Sequence, residues 1–231
     1  MKKMLTLVLG AAVCAGLLTG CGSSISASEL VKNNLDEVYL DQYTDDYLKR
    51  IDLTKEEAHQ QYEQGIQAEV KFFASYCNID LDLCDSSISD EIADLYHQIY
   101  PHSKYEVGDT SIHGETYLVS LTVYPIDVID QAMAHSTEFG ENWQERIDSG
   151  EFDNMTEAQA EEAWANAIID LVSAQLDSIG YLEPQTISVQ VVKDGDGAYC
   201  IDSGDFKRID ALMIDYGGYK SLTRGEMIST V

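Results

Sequence analysis

The residues able to do chemistry in this chain are five cysteines, five histidines and a few acid clusters. A thiol turns nucleophile or metal ligand when nearby positive charge or a metal lowers its pKa. Here 14 Lys and Arg stand against 41 Asp and Glu, so little positive charge is on hand. The histidines are His59, His97, His102, His113 and His135, and none stands at a zinc-ligand spacing from another His or a Cys. They read as surface or hydrogen-bonded side chains, and no metal site is assigned. The run Asp194-Gly195-Asp196-Gly197 has the flavour of a calcium loop, but counting from Asp194 the fifth and sixth positions are Ala198 and Tyr199. An EF-hand loop needs an oxygen ligand and then Gly there, so a hairpin turn is the expectation. Asp80, Asp82 and Asp85 read as a solvated loop, with weak calcium association as the alternative. The chain has no Gly-x-Ser-x-Gly elbow, no phosphate-binding Gly-x-x-x-x-Gly-Lys loop and no Cys-x-x-Cys pair. No catalytic residue and no cofactor is assigned.

One thiol has a sharper context. Met1-Lys2-Lys3 is a short positive start, and residues 4–18 form an uncharged apolar run. That run is short for a membrane span and has the layout of an export signal. It ends Leu18-Thr19-Gly20-Cys21: an apolar residue, two small ones and a thiol. This resembles the lipobox of bacterial lipoproteins, in which the enzymes of lipidation and cleavage read Leu18, Thr19 and Gly20, and Cys21 carries the lipid. A plain secretory signal is the competing reading, with Cys21 incidental. The lipobox reading removes residues 1–20, and Cys21 becomes the first residue of the mature chain. Each buried methylene contributes about 0.8 kcal/mol, so a two-chain diacylglyceryl group anchors with a gross free energy on the order of 20 kcal/mol. Cys14 leaves with the leader, and Cys77, Cys84 and Cys200 remain. Cys77 and Cys84 are close enough in sequence to pair, but three thiols are the default reading.

Charge sets the next limit. The formal net charge is −27, and it falls to −29 once the leader takes Lys2 and Lys3 and no acid with it. Such a chain has no basic surface for nucleic acid or anionic lipid. Residues 21–28 comprise the lipidated Cys and a small-residue tether, whose extended reach is about 25 Å. Anionic headgroups repel the domain over roughly 8 Å at physiological salt. The membrane contact is therefore expected through the lipid on Cys21.

The elements that must carry any site follow from periodicity. Ser28 is the expected cap of a helix with Leu30, Val31, Leu35, Val38 and Tyr39 on one face. Thr54 with Glu57 is a capping box, followed by the stripe Ala58, Tyr62, Ile66, Val70, Phe73 and Cys77. A third helix starts near Ser87 and stops at Pro101. The period then falls to two. Residues 104–112 and 116–124 read as strands, the second with Tyr117, Val119, Leu121 and Val123 on one face. Pro125 is expected in the first turn of a helix through Ile126, Ile129 and Met133, which Gly140 could break before Phe139, Trp143 and Ile147 are all included. Thr156 with Gln159 caps a helix expected to run to Ile179 and stop at Gly180. Ile187, Val189 and Val191 alternate along a strand that turns back through 194–197 into 198–201, and a last short helix carries Phe206, Ile209, Leu212 and Met213. The fold class expected is α+β, an antiparallel sheet of about four strands in two pairs covered by amphipathic helices. It occupies 29–215 as one domain, with 216–231 as a loose tail.

Glu29-Leu30-Val31 opening a helix with Leu35-Asp36, Lys104-Tyr105-Glu106-Val107, Val123-Tyr124-Pro125-Ile126-Asp127 and Gly197-Ala198-Tyr199 recur together after such a leader. In these the chain resembles a family of lipoproteins of uncharacterised function from Gram-positive bacteria. The resemblance implies a cystatin-like or nuclear-transport-factor-2-like fold, which hosts binders and enzymes alike. Three expectations follow. The first is a membrane-anchored, outward-facing, non-enzymatic domain that binds an envelope protein or a small ligand, and no nucleic acid. The second is a pocket enzyme, a hydrolase or isomerase, using an acid in an apolar cavity beside a Tyr donor; Tyr117 and Asp127 lie near the sheet, with packing and helix-start roles as their simpler reading. The third is a calcium-responsive domain.

Overall fold

The computed structural model describes residues 25–216 apart from Asp196. The leader, Leu18, Thr19, Gly20, Cys21 and residues 217–231 lie outside the described residues. Eight α-helices and four strands are described: α1 (Ala27–Leu40), α2 (Asp45–Ile51), α3 (Lys55–Tyr76), α4 (Ser86–Ile99), β1 (Lys104–His113), β2 (Thr116–Tyr124), α5 (Val128–Ala134), α6 (Ser136–Asp148), α7 (Glu157–Ser173), β3 (Gln185–Lys193), β4 (Tyr199–Ile201) and α8 (Ser203–Met213). The fold is α+β, with one antiparallel sheet in the order β1-β2-β3-β4. The chain divides into two compact, interleaved units.

The first unit takes the chain up to Ala68, Tyr105–Val123 and Gln185–Asp210, and so holds the sheet, α1, α2 and most of α8. β2 alternates as its sequence requires: Val119, Leu121 and Val123 are fully buried. They stand opposite Val189, Ile187 and Gln185 of β3, and Tyr117 stands opposite Val191. α1 and α8 cover this sheet through polar clasps as well as apolar contact. The Tyr105 hydroxyl of β1 donates to Asp36 of α1 at 2.6 Å, and the Tyr39 hydroxyl donates to Asp210 of α8 at 3.2 Å. The Gln190 N–H of β3 donates to Asp205 of α8 at 2.8 Å. Asp194 and Ala198 bond to each other across the expected turn: Asp194 N–H donates to the Ala198 carbonyl, and Ala198 N–H donates to Asp194 Oδ1, both at 2.8 Å.

The second unit holds Glu69–Lys104, Tyr124–Pro184 and the chain from Ala211. α4 packs on α7, and α5 packs on both α6 and α7. Its interior is rich in tyrosine. Tyr96 meets Phe73 and Tyr100 edge to face, Tyr216 meets Phe72 and Tyr76 the same way, and the Tyr96 and Tyr216 hydroxyls are hydrogen-bonded. The Tyr100 hydroxyl donates to the buried Glu69 carboxylate at 2.6 Å.

Several helix ends differ from expectation, each for a local reason. α1 is capped by Ser26 rather than Ser28, because Glu29 falls at the third helical position from Ser26 and closes a capping box there. α4 is capped by Asp85, whose carboxylate accepts from Ser87 N–H. Pro125 is outside any helix. Ile126 pairs as a short β-bridge with Tyr181 and Ile214, so α5 starts only at Val128. The break between α5 and α6 falls at His135 and not at Gly140. α7 ends at Ser173 and gives way to a 3-10 turn, Leu176–Ser178. Gly180 does not stop that helix; its N–H donates to Asp127 at 2.8 Å, and an added Cβ would sit 3.0 Å from that carboxylate. Asp127 therefore ties down the 178–180 loop and makes no side-chain cap at α5.

Candidate functional site

Two features stand out, one in each unit. The first lies on α6 and its surroundings. Phe139, Trp143 and Ile147 recur every four residues and share one stripe of α6, a helix that buries none of its residues. Trp143 packs against Trp164 at 5.1 Å and Phe152 at 4.9 Å between ring centroids, and Phe139 lies 5.6 Å from Trp164. These four half-buried rings include both tryptophans of the chain. The Trp164 indole N–H is held by the Cys77 carbonyl at 3.0 Å, which fixes the base of the cluster. Over its rim the Arg146 guanidinium sits 4.5 Å from the Trp143 ring while making paired hydrogen bonds to Glu151. Ile147 and Met155 are 46% and 39% exposed beside it. Glu138, Glu141, Glu145 and Asp148 are exposed acids on the other face of α6, and the exposed Glu151 is the partner of Arg146. Stable, partly exposed aromatic clusters with a cation on the ring and a polar rim are the makings of a protein-contact site.

The second feature is a buried polar cluster at the C-terminal end of α1. Asn34 and Glu37 are each 1% exposed, although both are polar. The Tyr47 hydroxyl, from α2, donates to Glu37 Oε2 at 2.9 Å. Glu37 Oε1, Asp41 Oδ1 and both polar atoms of the Asn34 side chain are buried without a hydrogen-bond partner. Burial pushes the Glu37 carboxyl up to about 7; the Tyr47 hydrogen bond opposes that and the nearby Asp41 charge adds to it. Asp41 stands in the left-handed region at φ 52°, caps α1, and binds His59 through its other oxygen at 2.8 Å. Asn33, Asp36, Asp41, Gln42, Tyr43 and Thr44 line an open hollow of about 490 Å³ beside this cluster.

The residues singled out by sequence fall elsewhere. Cys77, Cys84 and Cys200 are free thiols. Burial pushes Cys77 up to about 12, and burial with Glu161, Glu162 and Asp80 also raises Cys84, the reverse of an activated thiol. Asp80 and Asp85 serve the loop before α4. Asp80 Oδ1 accepts from Asp82 N–H, and the backbone N–H groups of Asp80 and Asp85 donate to Glu161 and Glu162 of α7. Among the described residues, no three His, Cys, Asp or Glu side chains gather to hold a metal ion. Tyr117 packs edge to face on Tyr199. Neither the aromatic cluster nor Glu37 was assigned from sequence. The spacing of Phe139, Trp143 and Ile147 was the available signal for the first; Glu37 gave none, since its position in α1 looks like any exposed acid until α2 covers it.

No protein-family model matches the chain, and no curated protein does. Among solved structures the chain is similar to "a putative lipoprotein (ycdA)" from Bacillus subtilis subsp. subtilis str. 168, with a TM-score of 0.54 and 16% sequence identity. The likeness covers 80% of this chain and 55% of that one, so the chain spans about half the length of its structural relative. It shows a shared fold. Among the described residues, no helix is long and apolar enough to cross a membrane.

Proposed function

We propose that the chain is an exported lipoprotein, cut before Cys21, held at the outer face of the cell membrane by the lipid on that thiol, and that its domain is a non-enzymatic binding module working through the α6 aromatic face. The leader sequence and the shared fold with the Bacillus subtilis protein support the anchor. The observation that carries the binding reading is the cluster that Phe139 and Trp143 of α6, a helix with no buried residue, form with Phe152 and with Trp164 of α7. The strongly acidic chain, with exposed acids on the rest of α6, favours a protein partner that presents an apolar anchor flanked by basic residues. The same net charge disfavours anionic headgroups, so this face is not proposed as a second membrane contact.

Both tryptophans sit in the cluster, so tryptophan emission, excited apart from the tyrosines, reports on this face. The mature chain, anchored to phosphatidylcholine vesicles, is titrated with a synthetic amphipathic Leu/Lys helix and with its Leu/Glu counterpart. A saturable change in tryptophan emission with the basic peptide, absent with the acidic one and lost in Ile147→Glu, is the expected result. Equal response to both peptides, or none, overturns the reading. Mass spectrometry of membrane-extracted protein tests the anchor, and an unmodified Cys21 in mature chain refutes it.

A pocket enzyme is the second reading, favoured by Glu37, an acid held partly protonated near neutrality beside a tyrosine. The Tyr47 proton is already committed to Glu37 itself, which leaves a substrate without that donor. The binding reading is preferred for this reason.

A further inference from the structure

The end of α1 carries charge of the wrong sign for its place. A helix C-terminus is the negative pole of the backbone dipole and favours cations. The last turn of α1 has no basic residue, and Asp36, Glu37 and Asp41 gather there. Asp36 is fully engaged, one oxygen accepting from Tyr105 and the other pairing with Lys32. Glu37 and Asp41 are each satisfied on one oxygen only, by Tyr47 and His59. Their second oxygens are buried and bare, and so is Asn34 Oδ1. Asn34 and Glu37 lie one turn apart on α1, and Asp41 is the residue that caps it. The Asn34 amide lies close enough to Tyr47 to act on its hydroxyl, which points it into the same cluster. A buried acceptor left bare costs about 1–3 kcal/mol, and native interiors hold few of them.

We propose that Asn34 Oδ1, Glu37 Oε1 and Asp41 Oδ1 form a recognition site for the primary ammonium group of a small amine, whose remainder occupies the hollow lined by Asn33, Gln42, Tyr43 and Thr44. An ammonium group offers three N–H donors to three bare acceptors and supplies the positive charge that the helix end lacks. The set is short of the six to eight oxygens a calcium ion takes. Asp41 belongs both to the buried cluster and to the wall of the hollow, and so joins the two. The site lies in the first unit and is independent of the α6 face.

Calorimetric titration of the mature chain on phosphatidylcholine vesicles tests it, with butylamine, tetramethylammonium and calcium chloride as probes at matched ionic strength. Butylamine is expected to bind one to one, tetramethylammonium, which has the charge and no N–H, at least tenfold more weakly, and calcium without saturation. Glu37→Gln and Asn34→Leu should each weaken butylamine at least tenfold, and circular dichroism of each variant checks that it is folded. Equal binding of the two organic cations, butylamine affinity unchanged in both folded variants, saturable calcium binding without amine binding, or no amine binding would each overturn the proposal.

Discussion

Glu37 makes the stability of the ligand-free domain depend on pH in an unusual sense. Its carboxyl is raised from 4.5 to about 7, with burial as the largest cause. The folded chain therefore holds a proton that the unfolded chain has released between those two values. Stability falls with rising pH wherever the folded state binds more protons. The contribution is fully present below about pH 4.5 and is lost as pH climbs through about 7. At about 1.4 kcal/mol per pH unit the whole change is on the order of 3 kcal/mol, a large part of a domain's net stability. Most proteins with hydrogen-bonded surface acids change the other way over this range. Urea unfolding followed by circular dichroism at pH 5, 6, 7 and 8, in amine-free buffer, reads the effect directly. Glu37→Gln keeps the shape and the Tyr47 contact but cannot titrate, so its profile should be flatter by about that amount. Asp210 is also raised by burial, against the Tyr39 hydrogen bond, so some slope of the same sign should survive in the variant. Wild-type stability that rises from pH 5 to 8, or a Glu37→Gln profile parallel to wild type, would refute the reasoning.

Three further outcomes follow from named contacts. Thr156→Ala removes the hydroxyl that accepts from Gln159 N–H and should lower the unfolding free energy by about 1 kcal/mol, read from the urea midpoint. Leu121→Ala empties a fully buried place in the middle of β2 and should cost about 2–5 kcal/mol in the same assay. Cys77, with its thiol pushed up to about 12, should resist maleimide at pH 7.5 in the folded chain and react readily in 6 M guanidinium; equal labelling rates in the two conditions would contradict its burial.

How much of this was legible depends on whether a feature is local. β2 could be read residue by residue, because a period of two assigns Val119, Leu121 and Val123 to one face without knowledge of the rest. Thr54 with Glu57 and Thr156 with Gln159 were legible for a similar reason, since a capping box spans four residues. The Ser26 cap shows the limit: two serines compete, and the position of Glu29 decides between them. Tertiary contact decided the rest. α2 has seven residues and buries only Tyr47 and Leu48, too few for a periodic signal, yet it is the element that covers Glu37. Pro125 suits a helix start in isolation, but Ile126 is claimed by backbone pairing with Tyr181 and Ile214. The aromatic face needed Phe152 and Trp164, from outside α6, to become a cluster.

The acids of this chain separate into two kinds by where they stand on helices. Glu29, Glu57 and Asp85 sit at helix starts, where backbone N–H and hydroxyl groups of Ser26, Thr54 and Ser87 hold each carboxyl below its ordinary range. There the charge stabilises the fold, and a strongly acidic composition is no burden. Glu37 stands at the opposite pole, in the last turn of α1, covered by Tyr47 and facing Asp41, with one oxygen bare. A buried methionine or leucine of similar volume would serve packing there without the desolvation cost. Lys32, Lys49, Arg50 and Lys55 are near in sequence, and Lys32, Arg50 and Lys55 pair with Asp36, Asp46 and Asp45. General solubility accounts for acids on the surface; it does not account for a buried one at the wrong end of a helix dipole. A positive group from outside the chain would account for it, with the bare acceptors of Asn34, Glu37 and Asp41 as its partners.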